Sequence, residues 1–253
     1  MSERTPLWPL IRQQVRCEGL KLWRTPDFSL ATILLPVIVF VLIGLPSLGH
    51  SSIGGPALLA SYTSYAVTAV MLYSFGSLLA IERGLRVDVL MRLTPVSPLV
   101  LVLARLLNAL VFGLLAIVSL LGVGALLGGI HLEATVWLGL ATRLLLGCAP
   151  FVALGFGLAH LAGPGAVTAV LNLVYIPLAV ASGMLVPLDQ LPAVVQQVAP
   201  YLPTYRFARL AWSAVGADPS SVGSDLLWLV GYTVLFVAFA VGAYRLDGRR
   251  RFA

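Results

Sequence analysis

Charge is what this sequence has least of: Asp, Glu, Lys and Arg make up 10% of its 253 residues, and 59% are hydrophobic. Soluble domains carry about 25% charged residues, so a water-soluble fold of this length is excluded. Lysine is almost missing, with Lys21, preceded by Leu20, as its single occurrence. The phosphate-cradling loop of a nucleotide hydrolase needs Gly-Lys followed by Ser or Thr, so the chain cannot hydrolyse ATP by that route. The two cysteines, Cys17 in a polar segment and Cys148 in an apolar run, would lie at different depths and make no disulfide framework. Three histidines, His50, His131 and His160, fall in separate connections, and no Cys or acidic cluster has metal-ligand spacing. Each acid sits in a loop or at the end of an apolar run, whereas ion-coupled carriers keep acids within the membrane. An intramembrane hydrolase would need a serine and a histidine together at depth. Ser182 is the serine to consider, and no histidine lies in a span.

What the sequence does contain is a series of uncharged stretches near the roughly 20 residues needed to cross the hydrocarbon. The pattern predicts an all-α polytopic membrane protein of one domain, residues 1–253, with six spans near 28–45, 57–81, 98–127, 135–159, 166–186 and 226–244. Residues 1–27 lack the apolar core of a cleavable signal. Between Leu7 and Arg24, Trp8, Ile11, Val15 and Leu22 recur at helical spacing, with Arg12, Gln13, Arg16 and Lys21 turned elsewhere. That predicts an amphipathic helix in the cytoplasmic interface, in contact with membrane lipid. Between spans five and six, Pro187, Pro192, Pro200, Pro203 and Pro219 divide moderately apolar pieces too short to cross, which reads as short outer re-entrant helices.

The net charge of +6 belongs to bases flanking the spans, so it marks topology and not a nucleic-acid surface. With both termini in the cytoplasm of a multi-pass cell (inner) membrane protein, the N-terminal segment, the 82–92 loop and the tail carry the bases. The outer loops then hold only Arg206 and Arg209. Arg105, near the start of span three, can snorkel to the interface. Arg143 either lies deeper in span four, a functional candidate by default, or, if that span starts later, snorkels outward.

Residues Ile81 to Leu93 form a charged amphipathic stretch. Glu82 with Arg86, and Asp88 with Arg92, are acid-before-base pairs four residues apart, which support a helix. Ile81, Leu85, Val89 and Leu93 make an apolar ridge, and Thr94-Pro95-Val96-Ser97-Pro98 stops the helix. Such a helix is either presented to a cytosolic partner or laid flat in the headgroups.

Glu82-Arg83 followed by Thr94-Pro95-Val96-Ser97-Pro98, then Gly183-Met184-Leu185-Val186-Pro187, Leu191-Pro192 and Pro200-Tyr201-Leu202-Pro203-Thr204-Tyr205, resembles the ABC-2 type transporter permease family. The resemblance runs over nearly the whole chain and includes Arg24-Thr25-Pro26 before span one. It implies a permease domain, a homodimer, and two separate cytosolic ABC ATPase subunits that hold the ATP and Mg; this chain binds no cofactor. It implies a coupling helix made by Glu82, Arg83, Leu85, Arg86, Asp88, Val89, Arg92 and Leu93. Spans two and five would line the route, bringing forward Tyr62, Tyr65, Tyr73, Phe75, Asn172, Tyr175 and Met184. Pro187, Leu191, Pro192, Pro203 and Tyr205 would belong to an outer gate. Gly84 and Arg86 stand where relatives often carry a second acid, and Tyr205-Arg206 where some carry Tyr-His.

The expected function is export of a hydrophobic or amphipathic compound, drug-like, peptide or lipid-like, as in multidrug efflux. The alternatives are a sensor or immunity subunit that binds a membrane-active compound without moving it, and a membrane enzyme.

Overall fold

The computed structural model describes residues 7–23, 26–49, 53–85, 98–219 and 221–252, and among these every regular element is helical. Helix α1 is Leu7–Trp23 and α2 is Pro26–Val39, which continues through a π turn, Phe40–Gly44, into Leu45–Ser47. Then come α3 (Gly55–Phe75), α4 (Ser77–Gly84), α5 (Pro98–Leu126), α6 (Ala134–Gly147), α7 (Ala149–Leu161) and α8 (Val167–Ala181). The last part comprises α9 (Ala193–Val198), α10 (Pro203–Ala214) and α11 (Val222–Phe252), with 3-10 turns at Leu188–Gln190 and Ala199–Tyr201.

Four stretches are long and apolar enough to cross a membrane: Gly55–Gly84, Val100–Leu126, Ala134–Leu161 and Val222–Asp247. The first joins α3 to α4 across Gly76, and the third joins α6 to α7 across Cys148. Thr32–Ser47 and Val167–Ala181 are apolar but shorter. The fifth apolar run thus stops at Ala181 and not at Val186 as its hydropathy suggests. At 15 residues it reaches about 22 Å, less than the roughly 30 Å hydrocarbon core. Gly183 ends it, because its φ of 79° belongs to the left-handed region that a helix cannot continue through.

Helix α3 is the hub. Its residues from Ala57 to Leu72 are all buried, packed by α2, α5, α7 and α10. A helix surrounded on every side needs no polar stripe, but α3 also carries Ser61, Thr63, Ser64 and Thr68 in that dry interior. Each hydroxyl donates to the carbonyl four residues earlier, at 3.0, 2.7, 2.8 and 2.9 Å, so none is stranded. Small side chains let neighbours approach closely, as membrane helix packing favours. A Cβ on Gly155 of α7 would lie 2.6 Å from the Leu72 carbonyl oxygen of α3. Helix α11 packs along α7, while Leu227, Val230, Val234 and Leu235 face outward, as they would against lipid tails.

Candidate functional site

Two charged clusters mark the ends of the bundle, joined by an aromatic seam. Asp225 and Asp247 both lie on α11, and 22 residues at 1.5 Å each put them about 33 Å apart, close to the thickness of a hydrocarbon core.

At the end where α1 packs on α5, Glu82 and Arg83 are buried, not displayed. Arg105 of α5 reaches Glu82 at 2.5 Å and Glu18 of α1 at 3.9 Å. Arg83 pairs with Asp247 at 2.6 Å and donates to the Ala159 carbonyl, in the last turns of α7 where the helix dipole is negative. Arg105 therefore points inward to carboxylates; snorkelling would have cost it two ion pairs. Glu82 thus has a partner on another helix, while Arg86, its expected partner by spacing, lies outside the described residues. Asn108 donates to the Val15 carbonyl at 3.0 Å, so α1 is docked on α5 through Glu18 and its own backbone. Arg12, Gln13 and Arg16 stay exposed. Next to these groups Ile81 and Leu85 are exposed, Leu85 at 71%. Arg86, Asp88, Val89, Arg92 and Leu93 lie outside the described residues. A cavity of about 360 Å³ opens beside Arg83, His160, Pro164 and Asp247. His160 belongs to the last turn of α7, edge-on to Tyr244, and not to a loop.

The seam between α3 and α8 gathers five of the seven residues that the resemblance brought forward for a route. Tyr65 and Tyr175 stack with ring centroids 5.1 Å apart, and Tyr73 meets Tyr175 edge-on at 6.3 Å. Tyr175 donates its hydroxyl to the Tyr65 carbonyl, Tyr73 to Asn172 Oδ1, and Tyr62 to the Leu185 carbonyl at 3.4 Å. Phe75 and Met184 are also buried. In this conformation the seam is closed, with the rings packed on one another. Phe40 of the π turn packs edge-on to Tyr62 at 5.3 Å and joins α2 to the same column.

The seam's hydrogen bonds permit a direct test. Tyr73→Phe and Asn172→Leu should each lower stability by about 1–3 kcal/mol, because each leaves the other partner's polar group unpaired. The double variant should cost less than their sum, measured by thermal unfolding in detergent; strictly additive losses would mean the pair does not interact.

At the other end, α10 is wedged among α3, α6, α8 and α11. Phe207 lies edge-on to Phe151 of α7 at 5.0 Å. Thr204 donates to the Leu178 carbonyl at 3.2 Å, and Trp212 to Ser61 Oγ at 2.8 Å. Asp225, with no exposure, takes Arg206 at 3.1 Å and Arg209 at 3.6 Å. Arg206 also lies under the Trp228 ring at 5.0 Å. Of the expected gate residues, Pro203 is buried in the first turn of α10 and Tyr205 packs edge-on to Trp212 at 5.7 Å. Pro187 and Leu191 are half-buried and Pro192 is exposed. Arg143 is half-buried and donates to Ser213 Oγ of α10 at 2.9 Å.

Sequence reasoning missed Glu18, Asp247, Ser61, Trp212 and Ser213. The available signal was an acid standing among bases: Glu18 in the basic first helix, and Asp247 in the arginine-rich tail. Ser61, Trp212 and Ser213 carried no signal, since their partners lie 151 and 70 residues away along the chain.

Among the described residues, no group of three or more His, Cys, Asp and Glu gathers at metal-holding distance. The family profile described as ABC-2 type transporter matches residues 10–214, from α1 through α10. "Putative transport permease YvfS" of Bacillus subtilis (strain 168) is similar at 28% identity over 180 residues, 71% of this chain and 73% of that protein. With a profile that takes in most of an all-helical bundle with four membrane-length helices, the chain belongs to the ABC-2 type transporter family.

Proposed function

We propose that this chain is the membrane permease half of an ATP-driven exporter, carrying a hydrophobic or amphipathic compound outward. The observation that carries this reading is the family match over residues 10–214 in a chain whose only lysine, Lys21, follows Leu20 and so builds no phosphate-binding loop. The energy then comes from a separate ABC ATPase, which holds ATP and Mg. Two copies of each subunit make the working unit, with six spans per permease and both termini in the cytoplasm. The ATPase grips the segment that begins at exposed Leu85 and runs through Arg86, Asp88, Val89, Arg92 and Leu93. Glu82 and Arg83, tied to α1, α5, α7 and α11, pass its movement into the bundle. The route follows the α3–α8 seam, where Tyr62, Tyr65, Tyr73, Phe75, Asn172, Tyr175 and Met184 separate to admit cargo. Apolar rings and hydroxyls along that seam suit a lipid-soluble molecule better than a small ion.

The reading is tested in inverted vesicles that carry the chain with its ATPase partner. A lipophilic dye should accumulate on adding ATP, and accumulation should fall to background with a hydrolysis-dead partner. Binding of the dye without ATP-dependent accumulation would favour a sensor or immunity role. Accumulation driven by an ion gradient alone would refute the proposal.

A further inference from the structure

The segment from Gly183 to Gly216 joins α8 to α11 between two glycines. Both bounding glycines hold left-handed backbone, with φ of 79° and 75°, a conformation in which other residues are strained. Between them the chain makes two 3-10 turns and two short helices, none able to span. What seats this unit is α10, whose Phe207 and Leu210 close against Gly147 so tightly that a Cβ there would lie 3.1 and 2.8 Å from their side chains.

Its polar fasteners differ in kind. At the α11 side, Arg206 and Arg209 meet a fully buried carboxylate, Asp225, a charge-to-charge anchor. At the α3 and α6 side, the fasteners are neutral hydroxyls. Trp212 donates to Ser61, whose hydroxyl passes on to the Ala57 carbonyl at 3.0 Å. Arg143 donates to Ser213, whose hydroxyl passes on to the Leu210 carbonyl at 3.0 Å. Arg143 lies nine residues into α6, counting from Ala134, about 14 Å along the helix, and among the described residues it makes no ion pair. A cation kept at such depth is costly, and helix packing alone does not require one there. Placed against a hydroxyl, it makes a directional bond that breaks without separating opposite charges.

We propose that Arg143 with Ser213, and Trp212 with Ser61, form a releasable latch that holds α10 shut over the outer end of the α3–α8 seam. The Asp225 anchor and the two glycines are the hinge side. Arg143 is then a positioning residue for outward opening, a role that rests on the export reading above.

The native thiol Cys148 reports on the latch, because it is buried at the α6–α7 junction between Gly147 and Phe151, both of which contact α10. In a Cys17→Ser background, a membrane-impermeant maleimide is applied to the outer face of intact cells. Without any ATPase partner, Arg143→Leu and Ser213→Ala should raise the Cys148 labelling rate about tenfold, as a shut state losing a fastening contact should. Arg143→Lys, which keeps a donor, should return it toward the parent rate. Ser213→Ala removes one oxygen and keeps the test decisive if Arg143→Leu fails to fold. Labelling of Ser213→Ala at the parent rate, or of Arg143→Lys as fast as Arg143→Leu, overturns the latch. Co-expressing the live partner, which draws on the cell's own ATP, separates the two claims. If export is wrong and the latch right, the variants label faster but the partner leaves the parent unchanged. If the latch is wrong and export right, the partner accelerates the parent and the variants match it.

Discussion

Arg105→Leu is expected to remove most of the folded protein, with the monodisperse peak in detergent reduced to a small fraction of the parent's. Arg105 is the shared guanidinium of two buried carboxylates, Glu82 at 2.5 Å and Glu18 at 3.9 Å, on three different helices. Removing one member of a buried ionic group costs about 3–5 kcal/mol, a large part of the 5–15 kcal/mol that typically holds a domain together. The triple change Arg105→Leu, Glu18→Gln, Glu82→Gln should recover much of the loss, because it removes the charges that Arg105 balances along with it. An Arg105→Leu protein as abundant and as heat-stable as the parent would show that the ion pairs contribute little. The functional consequence follows from position. Helix α4 leads directly into residues 86–97, so whatever loosens Glu82 also loosens the base of the segment proposed to dock the ATPase.

Gly155→Val should have the second largest effect, on the α3–α7 contact. Here the obstruction is backbone: an added Cβ meets the Leu72 carbonyl oxygen at 2.6 Å and its Cα at 3.2 Å, and no rotamer change relieves it. Gly155→Ala should cost about 1–3 kcal/mol as an overpacked core does, and valine more, read as a fall in the midpoint of thermal unfolding. Gly139→Ala, on α6 with nothing within 4 Å of its Cβ, is the control and should change stability by no more than about 0.5 kcal/mol. Equal effects at both positions would mean that the close approach of α3 and α7 does not hold the bundle.

The helices themselves were readable in advance because apolar length is a local property. The runs expected at 57–81, 98–127 and 135–159 appear as helices with ends close to those positions. Even the short helices between Pro187 and Ala214 were visible as proline-divided segments. Partners were not readable. Nothing beside Glu82 in the sequence announces Arg105, 23 residues away, which donates to its carboxylate. The reading of Arg105 as snorkelling failed for the same reason, since nothing near it in sequence announces Glu18. The seam of Tyr62, Tyr65, Tyr73, Asn172 and Tyr175 was assembled only in part by analogy. Resemblance named its members, but the stacking of Tyr65 on Tyr175 and the bond from Tyr73 to Asn172 depend on how α8 lies along α3.

By itself the sequence determined that this is a membrane protein built of helices, because burying uncharged stretches of about 20 residues in lipid outweighs every local preference. It also determined that the chain lacks a lysine-based phosphate loop. Only the tertiary structure decided which charges meet, that Glu82 and Arg83 face inward, and that Arg143 fastens α10. Those outcomes follow from the cost of leaving an ion unpaired in a dry bundle, and the partner that removes the cost is chosen by helix packing and not by neighbours along the chain.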